Sequence, residues 1–221
     1  MGAHDVRQRG RTERRYPLLV TADHYFSAEP TAPAKSGTIE FSVAGRDYAL
    51  AVASGVFSAG RLDPGTAVLL RKGELPTVAT AGDLLDLGCG YGPIACVLAT
   101  EAPKATVHAV DVNARARELT AANATRLGLS VRVSAPDDVP AELTFAEIWS
   151  NPPTHVGKAE LHAMLERWLP RLATEGIAWL VINRNLGGDS LHTWLVSLGW
   201  DVRRVASQRG FRVLRVCRKT A

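Results

Sequence analysis

The chain has 221 residues, with 26 Lys and Arg against 22 Asp and Glu, 46% apolar residues, 19 Gly, 12 Pro and 3 Cys. That length suits one α/β domain with an appendage, and the composition excludes wholesale disorder, collagen and low-complexity sequence. No apolar run is long enough to span a membrane, and the Arg-rich start lacks the apolar core of a secretory signal. Cys89, Cys96 and Cys217 form no C-x-x-C pair, so a reducing cytoplasm is the expected location. Charge is uneven: residues 1–16 carry a net +3 and residues 201–221 a net +6, which leaves −5 for the rest. Basic ends could meet a polyanion without disturbing the core, although a pI near 9.2 describes solubility as readily as nucleic-acid binding.

Residues 1–23 read as a mobile basic lead, and Pro17, Pro30 and Pro33 keep the stretch up to 37 irregular. Ile39 to Val43 alternates apolar and polar, Ala44-Gly45-Arg46-Asp47 supplies a turn, and Tyr48 to Val52 resumes the extended pattern, which predicts a hairpin. Asp63-Pro64-Gly65-Thr66 opens a short helix to Leu70. Residues 24–80 therefore read as an amino-terminal extension, and 81–221 as the core. From Ala81 strands and helices alternate: strand Leu84 to Leu87, helix Pro93 to Thr100, strand Thr106 to Val110, helix Ala114 to Leu127, then strands Val131 to Ser134 and Ala146 to Trp149. A helix over Lys158 to Ala173 precedes a strand from Gly176 to Ile182, and Asp189 can cap a helix over Ser190 to Leu198. Val202 to Ala206 and Phe211 to Val216 close the chain as an antiparallel pair around Gln208-Arg209-Gly210. Such alternation specifies a mostly parallel sheet covered on both faces, with its ligand beyond the carboxyl ends of the strands.

Asp86-Leu87-Gly88-Cys89-Gly90-Tyr91-Gly92 leaves the first parallel strand and enters a helix that Pro93 can start. Glycines let backbone approach a ligand, and the helix terminus adds unpaired N–H groups. Gly90 to Ala95 also satisfies the dinucleotide pattern G-x-G-x-x-A, and Asp111, 19 residues past Gly92, suits a ribose diol in either case. Asp86 separates the two readings, because a carboxylate there opposes a pyrophosphate and favours the ammonium and sulfonium of S-adenosylmethionine. The loop resembles the first motif of the class I S-adenosylmethionine-dependent methyltransferases. The resemblance implies that Gly88, Gly90 and Gly92 border the methionine part of the cofactor and that Asp111 takes the ribose hydroxyls, with Asp86 and Tyr91 also among the cofactor-binding residues. It further places Val112 and Asn113 beside the adenine, with Asp137 or Asp138 meeting its amino group. It implies an α/β Rossmann-like sheet of seven strands, mostly parallel with an antiparallel strand near the carboxyl end, plus the amino-terminal hairpin.

Ser150-Asn151-Pro152-Pro153 falls at the end of the fourth strand. Two prolines remove two N–H donors and fix φ, so Asn151 and the Pro152 carbonyl form a rigid acceptor pair for both hydrogens of an exocyclic amine. Catalysis would then be positioning, with Asn151, Pro152 and Pro153 as its residues. The element narrows the resemblance to methylation of adenine N6, guanine N2 or a glutamine side chain. Further segments carry it: His24-Tyr25-Phe26-Ser27, Gly55-Val56-Phe57-Ser58, Leu62 to Thr66, Ser150 to Lys158, and Gly210 to Arg215. Together, from His24 to Lys219, they resemble the single-unit members of the small-subunit ribosomal RNA guanine-N2 methyltransferase (RsmC-like) family. That resemblance implies ribosomal RNA, or the small ribosomal subunit, as partner.

Thr154 stands where that family usually has an aromatic residue stacked on the target base, a contact worth roughly 1–3 kcal/mol. His155, Phe57 or Tyr91 could supply it, or the substrate differs. Thr154, His155, Phe57, Lys158 and Arg212 are the candidate substrate contacts, and Arg184, Arg209 and Arg215 could extend an RNA path. No His/Cys/Asp cluster with ligand spacing surrounds His155, so no metal is expected. Cys89 reads as a small filler and the five Trp mostly as core. The competing readings are an amine methyltransferase acting on protein glutamine or a metabolite, a non-catalytic RNA-binding module, and, more remotely, a nicotinamide oxidoreductase.

Overall fold

The computed structural model describes residues 36–53, 61–152 and 157–219. The lead up to residue 35, Phe57, Pro153, Thr154 and His155 lie outside the described residues.

Strands β1 (Ser36–Val43) and β2 (Arg46–Ala53) pair antiparallel, Ile39 opposite Leu50 and Phe41 opposite Tyr48. The Ala44-Gly45 turn has φ of 51° and 75°, the doubly positive geometry whose twist suits a two-residue hairpin. Ile39 and Leu50 point inward and pack on Tyr91, Cys96 and Ala116 of the core. Helix α1 (Pro64–Lys72) follows, with Asp63 as its cap and Pro64 in its first turn.

The core alternates β3 (Asp83–Leu87), α2 (Pro93–Glu101), β4 (Thr106–Val110), α3 (Ala114–Arg126), β5 (Val131–Ser134), β6 (Phe145–Ser150), α4 (Lys158–Trp168), β7 (Leu172–Asn183), α5 (Gly188–Ser197), β8 (Trp200–Gln208) and β9 (Phe211–Arg218). Seven strands form one sheet in the order β5-β4-β3-β6-β7-β9-β8. Every neighbouring pair is parallel except those made by β9, which runs against both β7 and β8. Leu85, Leu87, Ile148, Leu180, Leu214 and Val216 meet α4 and α5 on one face. Leu84, Trp149, Trp179, Val181 and Val213 meet α1 and α2 on the other. Trp149, Trp168 and Trp179 are fully buried. The order reverses between β3 and β6, so the crevice for a ligand opens where those two strands end.

Several strands run a few residues longer than expected, and two helices differ in how they end or begin. The helix expected over Lys158 to Ala173 stops at Trp168, because Pro170 lacks the N–H to continue it; a 3-10 turn over Leu169–Arg171 leads directly into β7. Asp189 does not cap α5. That helix starts on Gly187 at φ 107°, and Asp189, in its first turn, pairs with Arg212 instead.

Gly73, just past α1, has φ −67°, open to any residue, yet a Cβ there would lie 2.7 Å from the Trp149 ring. Gly73→Ala should therefore overpack the core and cost about 1–3 kcal/mol. In urea the midpoint should fall with an unchanged slope.

Candidate active site

The glycine loop is held from three sides. Gly88 and Cys89 donate their N–H groups to the Val110 carbonyl at 2.8 and 3.1 Å, and Gly90 donates to Asp111 Oδ2 at 2.9 Å. From α3, Thr120 Oγ1 donates to the Gly90 carbonyl at 3.0 Å and Asn123 Nδ2 to the Tyr91 carbonyl at 2.8 Å. Gly88, Gly90 and Gly92 all have positive φ. A Cβ on Gly92 would sit 2.9 Å from Thr120 Cγ2, whereas one on Gly88 would meet nothing within 4 Å. Gly92 is thus required for packing, and Gly88 presents the open side of the loop.

Asp111 spends both carboxylate oxygens on backbone, Oδ1 on the Asn113 N–H and Oδ2 on the Gly90 N–H, each at 2.9 Å. Burial raises its pKa, and those same bonds oppose the rise. Val112 is 46% exposed beside it, an apolar surface that a ring could cover. The Asn113 side chain is buried and caps α3 through the Ala116 N–H at 3.1 Å, and its backbone is engaged as well, the N–H by Asp111 and the carbonyl by the Arg117 N–H at 3.2 Å. Asp137 and Asp138 lie on a 3-10 turn after β5, and Arg167 takes Asp137 at 2.8 Å.

Asp86 does not open onto the crevice as the sequence suggests. It is fully buried beneath the loop, where Oδ2 accepts the Ala95 N–H of α2 at 2.9 Å and Oδ1 has no hydrogen-bond partner among the described residues. Burial is the main cause pushing its pKa up to about 8; the Ala95 bond opposes it and Asp111 reinforces it. An orphaned buried carboxylate oxygen next to a second carboxylate fits a cationic ligand above the loop and suits a pyrophosphate poorly. Burial drives the Cys89 thiol upward and that of Cys96 to about 12, so both are inert fillers. The Tyr91 ring turns away under the hairpin, 2% exposed, and its hydroxyl has no partner among the described residues.

At the end of β6, Ser150 Oγ donates to the Leu87 carbonyl at 2.7 Å and fastens β6 to β3 beside the loop. Asn151 Nδ2 donates to Asp63 Oδ1 at 2.7 Å and to Thr66 Oγ1 at 2.9 Å. A carboxylate can only accept, so the amide nitrogen must face Asp63 and Oδ1 must face the other way. A Cβ on Gly65 would stand 2.9 Å from Asp63 Oδ1, 3.0 Å from Phe211 Cε1 and 3.1 Å from Asn151 Oδ1, so only glycine leaves this acceptor room. Pro152, the next residue, is buried.

The structure thus brings together Gly88, Gly90, Asp111 and, across the β3–β6 crevice, Asn151. Sequence reasoning assigns no site role to Asp63, Gly65, Thr66, Phe211, Thr120 or Asn123. The segment Leu62 to Thr66 is visible in the sequence, but as a helix start and a mark of resemblance, with no contact attached to it. Lys158 is exposed at the start of α4, and Arg184 and Arg209 are exposed. Arg212 is occupied: its guanidinium pairs with Asp189 and its side chain is 11% exposed. Arg215 is half-buried, with Nη1 3.2 Å from Cys217 Sγ. Among the described residues no cluster of His, Cys, Asp or Glu could hold a metal, and no helix is long and apolar enough to cross a membrane.

Residues 47–215 match the family model of the methyltransferase small domain. The chain belongs to that family. It is a class I S-adenosylmethionine-dependent methyltransferase. It is 35% identical over 198 residues to the uncharacterized protein YbxB of Bacillus subtilis, covering 88% of this chain and 98% of that one. It is 40% identical over 136 residues to the ribosomal RNA small subunit methyltransferase C of Aeromonas hydrophila, covering 58% of this chain but 38% of that longer protein. Among solved structures, a T. thermophilus 16S rRNA N2 methyltransferase (RsmC) in complex with AdoMet and guanosine superposes with a TM-score of 0.68 at 23% identity. That match covers 86% of this chain and 52% of that one, and shows the shared fold.

In this methyltransferase small domain, Asp63→Ala should slow transfer roughly a hundredfold by freeing the Asn151 amide, while cofactor affinity stays unchanged. It also removes the α1 cap, at about 1 kcal/mol. Thr66→Val should give a smaller loss of the same kind; rate at saturating cofactor and calorimetric affinity are the two measurements.

A second expectation concerns pH. Asp86 binds its proton more tightly folded, at about 8, than in an unfolded chain, at about 3.9. Its contribution to stability is fully present below about pH 4 and is lost as pH rises through about 8. Urea midpoints of the cofactor-free protein should fall across that window, and Asp86→Asn should flatten the fall. A wild-type midpoint that rises steadily from about pH 5 to 8 would contradict it.

Proposed function

We propose that the protein transfers the methyl group of S-adenosylmethionine to the exocyclic N2 amine of a guanine in ribosomal RNA of the small subunit, in the cytoplasm. The observation that carries the reading is the Asn151 carboxamide at the end of β6, locked by Asp63 and Thr66 with its oxygen beside Gly65, one residue past the Ser150 that is bonded to Leu87 at the root of the glycine loop. Gly88 and Gly90 would border the methionine part of the cofactor, Asp111 the ribose, and Val112 and Asn113 the adenine. Asp138, whose neighbour Asp137 is engaged by Arg167, would take the adenine amine. Asp86 would act from below through its field. The cofactor supplies an electrophilic methyl carbon on sulfonium.

Asn151 Oδ1 and the Pro152 carbonyl accept the two hydrogens of the amine, which turns the nitrogen lone pair toward the methyl carbon. The N–C bond forms as the C–S bond breaks, and the amine then sheds one proton to water. A guanine in structured RNA must first leave its stack, at a cost of a few kcal/mol. Residues 24–80 act in this reading as an extension that brings α1 to a core of 81–221, with Asp63 and Thr66 reaching the site. Support for RNA comes from the ribosomal RNA methyltransferases among its relatives, from the similar T. thermophilus structure that holds guanosine, and from the basic carboxyl end.

Methyl transfer from tritiated cofactor tests it, with small subunits, large subunits, naked ribosomal RNA and a soluble protein fraction as separate acceptors and Asn151→Ala alongside. RNase-sensitive label on small-subunit material that vanishes in the variant is the expected result. Label on protein would move the acceptor pair to a glutamine amide, and label on large subunits would relocate the guanine.

A further inference from the structure

Asn123 lies on α3, outside the crevice and only 1% exposed, yet its carboxamide joins three separate elements. Nδ2 donates to the Tyr91 carbonyl of the glycine loop at 2.8 Å and to the Ala51 carbonyl of β2 at 2.9 Å, and Oδ1 accepts the Ala51 N–H at 2.7 Å. Both polar groups of the Ala51 backbone therefore face Asn123 and are not part of the β1–β2 ladder. Arg126, one turn on, reaches the Ala49 carbonyl of the same strand edge. Thr120, one turn back, holds the adjacent Gly90 carbonyl, and Gly90 in turn gives its N–H to Asp111. One buried face of α3 thus grips the carbonyl side of the loop and the edge of the hairpin with the same side chain.

We infer that Asn123 is a positioning residue for the cofactor, and that through it the hairpin forms part of the cofactor site. The inference rests on the S-adenosylmethionine reading of the glycine loop. The donation from Nδ2 holds the Tyr91 peptide with its carbonyl toward α3. That orientation keeps Gly88 and Gly90 turned to the crevice and Asp111 at its post beside Gly90. Because the same nitrogen and its partner oxygen also hold Ala51, loop and hairpin are two loads on one amide, and coupling between them must run both ways.

Calorimetry of S-adenosylmethionine binding to the full chain tests the inference, with transfer at saturating cofactor measured alongside. Asn123→Asp keeps the acceptor for Ala51 but loses both donations, and should weaken cofactor binding at least about tenfold while leaving kcat within about threefold. Ala51→Pro removes the N–H that Asn123 accepts, from a residue on the hairpin and not on the glycine loop, and should weaken binding in the same sense. Thr120→Val, nearly isosteric, releases the Gly90 carbonyl and keeps the test open if Asn123→Asp fails to fold. Hydrogen exchange supplies a readout that a purely structural role would not move: adding cofactor should slow exchange of the Ala51 amide in the wild type and not in Thr120→Val or Asn123→Asp. Folded variants with wild-type affinity, or no cofactor effect on the Ala51 amide of the wild type, overturn the inference. A wild-type chain that binds no S-adenosylmethionine instead overturns the reading beneath it.

Discussion

One carboxylate oxygen, Asp63 Oδ1, accepts both the Thr66 N–H that begins α1 and the Asn151 amide at the end of β6, 88 residues further along the chain. The cap of a helix and the orientation of the Asn151 carboxamide are therefore one interaction. Charged acceptors make stronger, shorter bonds than neutral ones, and this one is nearly excluded from water, so it fixes geometry firmly. Helix α1 is also fitted to β6 at its far end, where Gly73 lies on the Trp149 ring. Trp149 and Asn151 are two positions apart and share a face of the strand path, so β6 grips the short helix at both ends. The buried side chains Val68 and Leu69 press the same helix onto the sheet between those grips.

The field inside the crevice follows from where the acids are. Asp86 and Asp111 sit at the ends of adjacent strands β3 and β4, and Asp63 faces them from α1 across β6. A bound cation would draw Asp86 into its charged form, so the mouth of the sheet favours positive charge in its ligand, while the protein's own positive charge lies on the terminal strands. A cation is drawn to the first region and a polyanion to the second, so a sulfonium donor and an RNA acceptor need not compete for the same surface. Arg212 is the exception among the expected cations: its pairing with Asp189 spends it on fastening the start of α5 to β9.

What is legible in the sequence is local. The strand–helix alternation, the glycine loop, the strand-end position of Asn151 and the hairpin turn each lie within a few consecutive residues, and the structure has them close to where the pattern puts them. The overrun of α4 comes from extending apolar periodicity past Pro170, where the missing N–H outweighs the pattern. Asp189 resembles a cap because a cap is recognised by the helical pattern after it, whereas its actual partner is on a strand two elements later. Asp86 points to the right kind of ligand through the wrong contact, because one sequence cannot show that its carboxylate turns into α2. The pairings that orient the site join residues 72, 85 and 88 positions apart, and no periodicity encodes a bond of that reach.

The same pairings decide what kind of chemistry the site can run. A general base must have a lone pair aimed at the proton it takes. Asp63 is the carboxylate bonded to Asn151, and the oxygen it presents there already serves two donors. Asp86 is sealed under the loop, and each oxygen of Asp111 holds a backbone N–H. With these acids committed in this way, the crevice has acceptors to aim an amine but none of the three is a free base poised beside Asn151. That arrangement suits a nucleophile whose proton becomes acidic only after the new bond has formed, so that water suffices to remove it and alignment is the main task left to the protein.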